Sequence, residues 1–87
     1  MKEKLAVQKK FGKHLKKLRL DRKITAAELA KRTEIEPSHI SRLEAGESNP
    51  TLYTLTIIAN ALDITLEELF KGFWNNSSSI PNFSHKP

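Results

Sequence analysis

Ser38, Ser41, Arg42 and Ala45 recur at helical spacing within Pro37-Ser38-His39-Ile40-Ser41-Arg42-Leu43-Glu44-Ala45-Gly46. At about 100° per residue, with Ile40 and Leu43 turned inward, these four fall on the opposite side of a helix. The strip is short and polar, with one long cation. Its chemistry is recognition rather than bond-making. Serine hydroxyls give and take single hydrogen bonds, and a guanidinium offers a rigid fork that pairs two neighbouring acceptors. Other chemistries lack their residues. The chain has no cysteine, which removes disulfides, thiolate metal ligands and a cysteine nucleophile. His14, His39 and His85 have no ligand spacing and read as solvated or capping side chains. No nucleophile–base pair, glycine-rich phosphate loop or catalytic carboxylate pair is present. The expectation is a non-enzyme with no cofactor, no metal and no small-molecule ligand.

The elements that position the strip follow from periodicity and caps. Val7, Phe11, Leu15 and Leu18 form one apolar stripe, predicting a first helix from about Leu5 to Arg22, with Lys9, Lys13, Lys16 and Lys23 on its far side. Thr25-Ala26-Ala27-Glu28 predicts a reciprocal cap opening a second helix, whose inward face is Ala26, Leu29, Ala30 and Thr33. Pro37 suits the first turn of the third helix, and Gly46 suits its left-handed end. Thr51 caps a fourth helix with Leu52, Leu55, Ile58, Ala59 and Leu62 inward, and Thr65-Leu66-Glu67-Glu68 is a second capping box. The fold class is therefore all-α, with five helices. Residues 1–71 form the domain, and residues 72–87 form a polar tail that is either disordered or a dimer contact. Phe73 and Trp74 break its character, since adjacent aromatics just past a helix pack on something.

Charge is unevenly placed. The net charge is +5, yet residues 1–23 carry +8 and the remainder −3. Such a dipole suits a polyanion on one side. No apolar run approaches the roughly 20 residues of a membrane span, and no secretory leader is evident, so the expected place is the cytoplasm. The lysines could in principle meet an anionic membrane. Because Val7, Phe11, Leu15 and Leu18 are committed to the core, nucleic-acid phosphates are the better account.

Taken alone, a polar helical strip is an ordinary solvated face. Here a short capped helix precedes it, the connection from Thr33 to Pro37 is tight, and a basic helix adjoins it. That is the pattern of a helix-turn-helix, whose second member lies in the DNA major groove. Small side chains permit close approach to base edges, and Arg42 can pair guanine O6 and N7.

The run from Thr25 to Thr33, then Pro37 to Gly46, Asn49-Pro50-Thr51-Leu52 and Leu62 to Leu69 resembles the Cro/phage-repressor (XRE-type) helix-turn-helix family. The resemblance covers about Phe11 to Phe70. It implies a repressor-like transcriptional regulator that binds double-stranded operator DNA of palindromic sequence as a homodimer. It also implies base contacts from Pro37, Ser38, Ser41 and Arg42. Phosphate contacts are implied from Thr25 and the amide of Ala26, and from Asn49 and Thr51 at the start of the fourth helix. His39, sideways on helix three, is a further phosphate candidate. Arg19 and Glu44 match a structural ion pair, with Arg19 also a phosphate candidate. Three positions depart from the pattern: Ala26 replaces a common glutamine, Glu34 a glycine in the turn, and Glu36 a capping Ser or Thr. The departures bear on affinity more than on fold. A second reading is an antitoxin-like or other protein-interaction module that uses the aromatic tail, Phe73, Trp74 and Phe83, to hold a partner.

Overall fold

The computed structural model describes residues 2–74. It contains helices α1 (Lys2–Asp21), α2 (Ala26–Thr33), α3 (Pro37–Ala45), α4 (Leu52–Ala61) and α5 (Leu66–Phe70), with no strand among the described residues. α1 packs on α3, α2 on both α3 and α4, and α4 on α5. One core joins them: Phe11, Leu15, Ile24, Leu29, Ala30, Ile40, Leu43, Ile58, Ala59, Leu62 and Leu69.

α1 starts three residues before the expected Leu5. Its apolar stripe ends there, but lysine and glutamate are good helix formers, and Glu3 suits the positive end of the helix dipole. Its buried face is also rotated from the expected stripe. Gln8, Phe11, Gly12, Leu15 and Arg19 are buried, whereas Val7 and Leu18 are half-buried. α3 is the reason: it crosses the flank carrying Gln8, Gly12 and Arg19.

The expected caps form, with one correction. Thr25 Oγ accepts from the Glu28 N–H at 3.0 Å, but Glu28 does not reach back. Its carboxylate instead pairs with Arg32 Nε at 2.9 Å, and Arg32 also donates to the Ala61 carbonyl at 3.1 Å. A cation one turn away outcompetes a neutral amide. At Thr65, Arg22 and Lys71 act on the Glu68 carboxylate without forming an ion pair among the described residues, and both halves of the box form, at 3.0 and 2.8 Å. The Thr65 N–H favours the charged carboxylate and holds Glu68 below its usual carboxyl range. Glu36 makes no side-chain cap at α3.

Leu52 is a second correction. It is 72% exposed, because it lies in the first turn of α4, beside the row of Leu55, Ile58 and Leu62 and beyond the edge of the core. Phe73 and Trp74 do pack on the chain's own first helix. The Phe73 ring meets Phe11 edge-on at 5.4 Å, and Trp74 lies beneath Lys10 Nζ at 5.2 Å. His14 proves to be a capping histidine, its Nε2 donating to the Leu69 carbonyl at 2.7 Å. His85, Phe83 and the remainder of the polar tail lie outside the described residues.

Glu34, where the resemblance leads one to expect glycine, has φ 61°. A left-handed backbone costs a β-carbon-bearing residue about 1 kcal/mol. The turn holds because Thr33 braces it: the Thr33 hydroxyl donates to the Leu29 carbonyl at 2.8 Å and accepts from the Ile35 N–H at 3.2 Å. Glu34→Gly should therefore raise unfolding stability by up to about 0.5 kcal/mol, the strain relieved less the added chain entropy. Urea denaturation measures it, and a loss of stability would contradict the strain.

Candidate nucleic-acid interface

α3 is anchored to α1 along a seam of three contacts. At its C-terminal end, Gln8 Nε2 donates to the Gly46 carbonyl at 3.1 Å. In the middle, Gly12 lets the helices touch: a β-carbon there would lie 2.5 Å from the Glu44 carbonyl oxygen. Beyond it, Arg19 and Glu44 form a two-pronged ion pair, Nε to Oε2 at 2.6 Å and Nη2 to Oε1 at 3.0 Å. The two side chains are only 7% and 9% exposed. Arg19 Nη1 also donates to the Ile24 carbonyl at 2.8 Å, while the Ile24 N–H donates to the Arg19 carbonyl at 3.1 Å. The Glu44 hydrogen bond, partly opposed by burial, raises the Arg19 guanidinium above its already basic range, so the charge is permanent.

The seam fixes which side of α3 looks outward. Pro37, Ser38, Ser41, Arg42 and Ala45 are exposed, while Ile40 and Leu43 are buried. Gly46, at φ 79°, ends the helix, with the Glu47 N–H donating to the Arg42 carbonyl at 2.9 Å. The candidate base-facing residues therefore share one exposed strip on a helix held from behind.

The candidate phosphate residues gather in two places. Thr25 caps α2 and directly follows Ile24, the residue Arg19 grips. Ala26, half-buried, offers its backbone amide only; amides in the first turn have no partner within their own helix, and such a terminus favours anions. On another side, His39 Nε2 lies 3.4 Å from Ser48 Oγ. That contact draws α3 to the loop holding exposed Asn49, and to Thr51, whose Oγ accepts from the Thr54 N–H at 3.1 Å. Arg19 differs from these. Its side chain is covered, and three of its donors are already engaged, which makes it a tie beneath the surface. Glu34, Glu36 and Glu47 are exposed at the two ends of α3.

Gln8 and Gly12 were not legible as site-supporting residues by hydrophobicity. The available signal was their position, a turn apart on the row that leads to Leu15 and Arg19. The Arg32–Ala61 tie between α2 and α4 had no sequence signal beyond the pairing of Arg32 with Glu28.

A helix-turn-helix family model, HTH_3, matches residues 15–69, the span that contains α2, α3, α4 and the Arg19–Glu44 pair. The chain belongs to the helix-turn-helix family. Its relatives include the immunity repressor protein of Bacillus phage phi105, 33% identical over 67% of this chain and 40% of the repressor. Another is the uncharacterized HTH-type transcriptional regulator YqaE of Bacillus subtilis, 36% identical over 71% of this chain and 53% of that protein. The chain thus spans about half or less of these relatives' lengths. Among solved structures, the restriction-modification controller protein C.AhdI from Aeromonas hydrophila superposes with a TM-score of 0.72 at 34% identity, covering 75% of this chain and 98% of the controller. No helix among the described residues is long and apolar enough to cross a membrane.

Within this helix-turn-helix, the buried pair should behave as a unit. Glu44→Ala leaves Arg19 charged and uncompensated and should cost on the order of 3 kcal/mol. Joint replacement, Arg19→Met with Glu44→Leu, should recover part of that loss, since no charge is then stranded but the Ile24 carbonyl loses its donor. Thermal unfolding of the single and double variants checks it, and a double variant as unstable as Glu44→Ala would contradict the pairing.

Proposed function

We propose that this chain is a small sequence-specific DNA-binding transcriptional regulator, acting as a repressor, with α3 as its recognition helix. The observation that carries the reading is the exposed strip of Ser38, Ser41, Arg42 and Ala45 on a helix anchored from behind, within a chain of the helix-turn-helix family. In this reading α3 enters the major groove. Pro37, Ser38 and Ser41 lie against base edges, and Arg42 forks onto guanine O6 and N7. Thr25 and the Ala26 amide take one stretch of backbone, and His39, Asn49 and Thr51 take another, setting register without reading sequence. Arg19 acts through Glu44 and Ile24 as a positioning residue.

The chain works as a homodimer in the cytoplasm, on a palindromic operator whose half-sites lie roughly 34 Å apart, one helical turn. No catalytic step, cofactor or small-molecule ligand is assigned. The relatives' names support regulation rather than the partner-holding reading. That reading rested on aromatics of the tail, and Phe73 and Trp74 are engaged with Phe11, His14 and Lys10 of the same chain.

Selection from random duplexes, followed by binding titrations, tests this. Arg42→Ala should lose about 1–3 kcal/mol on the preferred duplex and relax preference at one base pair. An equal loss on every duplex would make Arg42 a phosphate contact instead. Failure of the wild-type chain to bind any duplex at low salt would overturn the reading.

A further inference from the structure

Lys2, Lys9, Lys16 and Lys23 are spaced by seven residues. Seven residues are close to two helical turns, so Lys2, Lys9 and Lys16 form one nearly straight row on α1, about 10 Å between neighbours. Lys23, one interval further on, lies just past the helix end. All four are exposed, and none belongs to the ion pairs found among the described residues.

The row has a definite address. Lys9 and Lys16 are the i−3 and i+4 neighbours of Gly12, which puts them one file over from the α1–α3 seam. Gly46, the end of the recognition helix, packs so closely on α1 that a β-carbon there would lie 2.6 Å from Lys9 Cα. At the other end, Lys23 stands two residues before Thr25, the cap of α2. The row thus runs from beside the C-terminal end of α3 toward the N-terminus of α2. Two of the other α1 lysines have different occupations: Lys17 pairs with Asp21 at 3.3 Å, and Lys10 lies over Trp74; Lys4 and Lys13 are exposed but lie off the seven-residue row.

Charge gives the row a task. The two ends of α3 are acidic, with Glu34, Glu36 and Glu47 exposed, and the strip itself carries one cation, Arg42. Such a surface approaches a duplex poorly unless cations stand nearby. The row stands there, and its length matches a track rather than a point.

We propose that Lys9, Lys16 and Lys23, with Lys2 extending the line, form a second phosphate-binding track that follows the DNA backbone beside the groove entered by α3. The inference rests on the proposed DNA-binding reading. The track supplies affinity and salt dependence without reading sequence, and it offsets the carboxylates at the ends of α3.

The test is a comparison of two double variants with equal charge loss, both confirmed folded by circular dichroism. Lys9→Gln with Lys16→Gln removes part of the track; Lys10→Gln with Lys17→Gln removes two lysines from elsewhere on α1. Binding to the selected duplex and to a scrambled one is measured by fluorescence anisotropy across a salt series. In the track variant, the slope of log affinity against log salt should become shallower by about 2 per bound chain, since each phosphate contact contributes roughly 0.9. The fold-loss should be the same on both duplexes, leaving base preference intact, and the second variant should shift the slope by less than half as much. Equal shifts in the two variants would overturn the track in favour of diffuse charge, as would an unchanged slope in the track variant. Lysine-dependent binding to phosphatidylserine vesicles with duplex binding unaffected would also overturn it. If the wild-type chain binds neither duplex at low salt, the DNA-binding reading itself fails and the track with it.

Discussion

The arrangement turns on Arg19. From one side chain it donates twice to Glu44 on α3 and once to the carbonyl of Ile24, while its own carbonyl takes the Ile24 N–H. It therefore joins α1, the turn into α2, and α3. Nothing apolar could do this, because the groups to be held are a carboxylate and a backbone carbonyl facing a nearly closed space. A covered ion pair is a poor source of net stability, since desolvation consumes most of the attraction. Its value is geometric: two parallel hydrogen bonds fix an angle that packing alone leaves loose.

The remaining features extend that constraint. Gly12 allows the backbones of α1 and α3 to close on each other, and Gln8 ties down the carbonyl at the end of α3. Ile40 and Leu43 anchor the inward face of the recognition helix in the core. With that face committed, the opposite face has only Pro37, Ser38, Ser41, Arg42 and Ala45 to present. A helix fixed from behind by hydrogen bonds and a core loses little freedom on binding, which is how preorganisation contributes to affinity.

The exposed strip was legible in the sequence because a short helix with two large apolar residues leaves little choice about its outer side. The five helices were legible for a similar reason: caps at Thr25, Thr51 and Thr65 and the glycine at 46 mark their limits. The α1–α3 seam was not, because Gln8 and Gly12 carry no hydrophobic signal and the pattern of Val7, Phe11, Leu15 and Leu18 points about 60° away from the buried face. Glu28 misled because two partners competed for one carboxylate, and sequence does not rank them. Leu52 misled because helical spacing describes direction but not whether the core extends that far along the axis. The pairing of Arg19 with Glu44 follows from family resemblance and agrees with helical position, Glu44 on the inward flank of α3 and Arg19 beside the apolar stripe of α1; the grip on Ile24 required coordinates.

We propose that the outer strip of α3, held by Arg19 and Glu44, is the surface that meets the duplex. Amide and side-chain NMR shifts of the labelled chain, followed during titration with its selected duplex, test this most directly. The largest changes should fall on Ser38, Ser41 and Arg42 and on the first-turn amides of α2 and α4, with Leu15, Ile40 and Leu69 little moved. Changes centred on Phe70, Phe73 and Trp74, with the α3 strip unaffected, would contradict it.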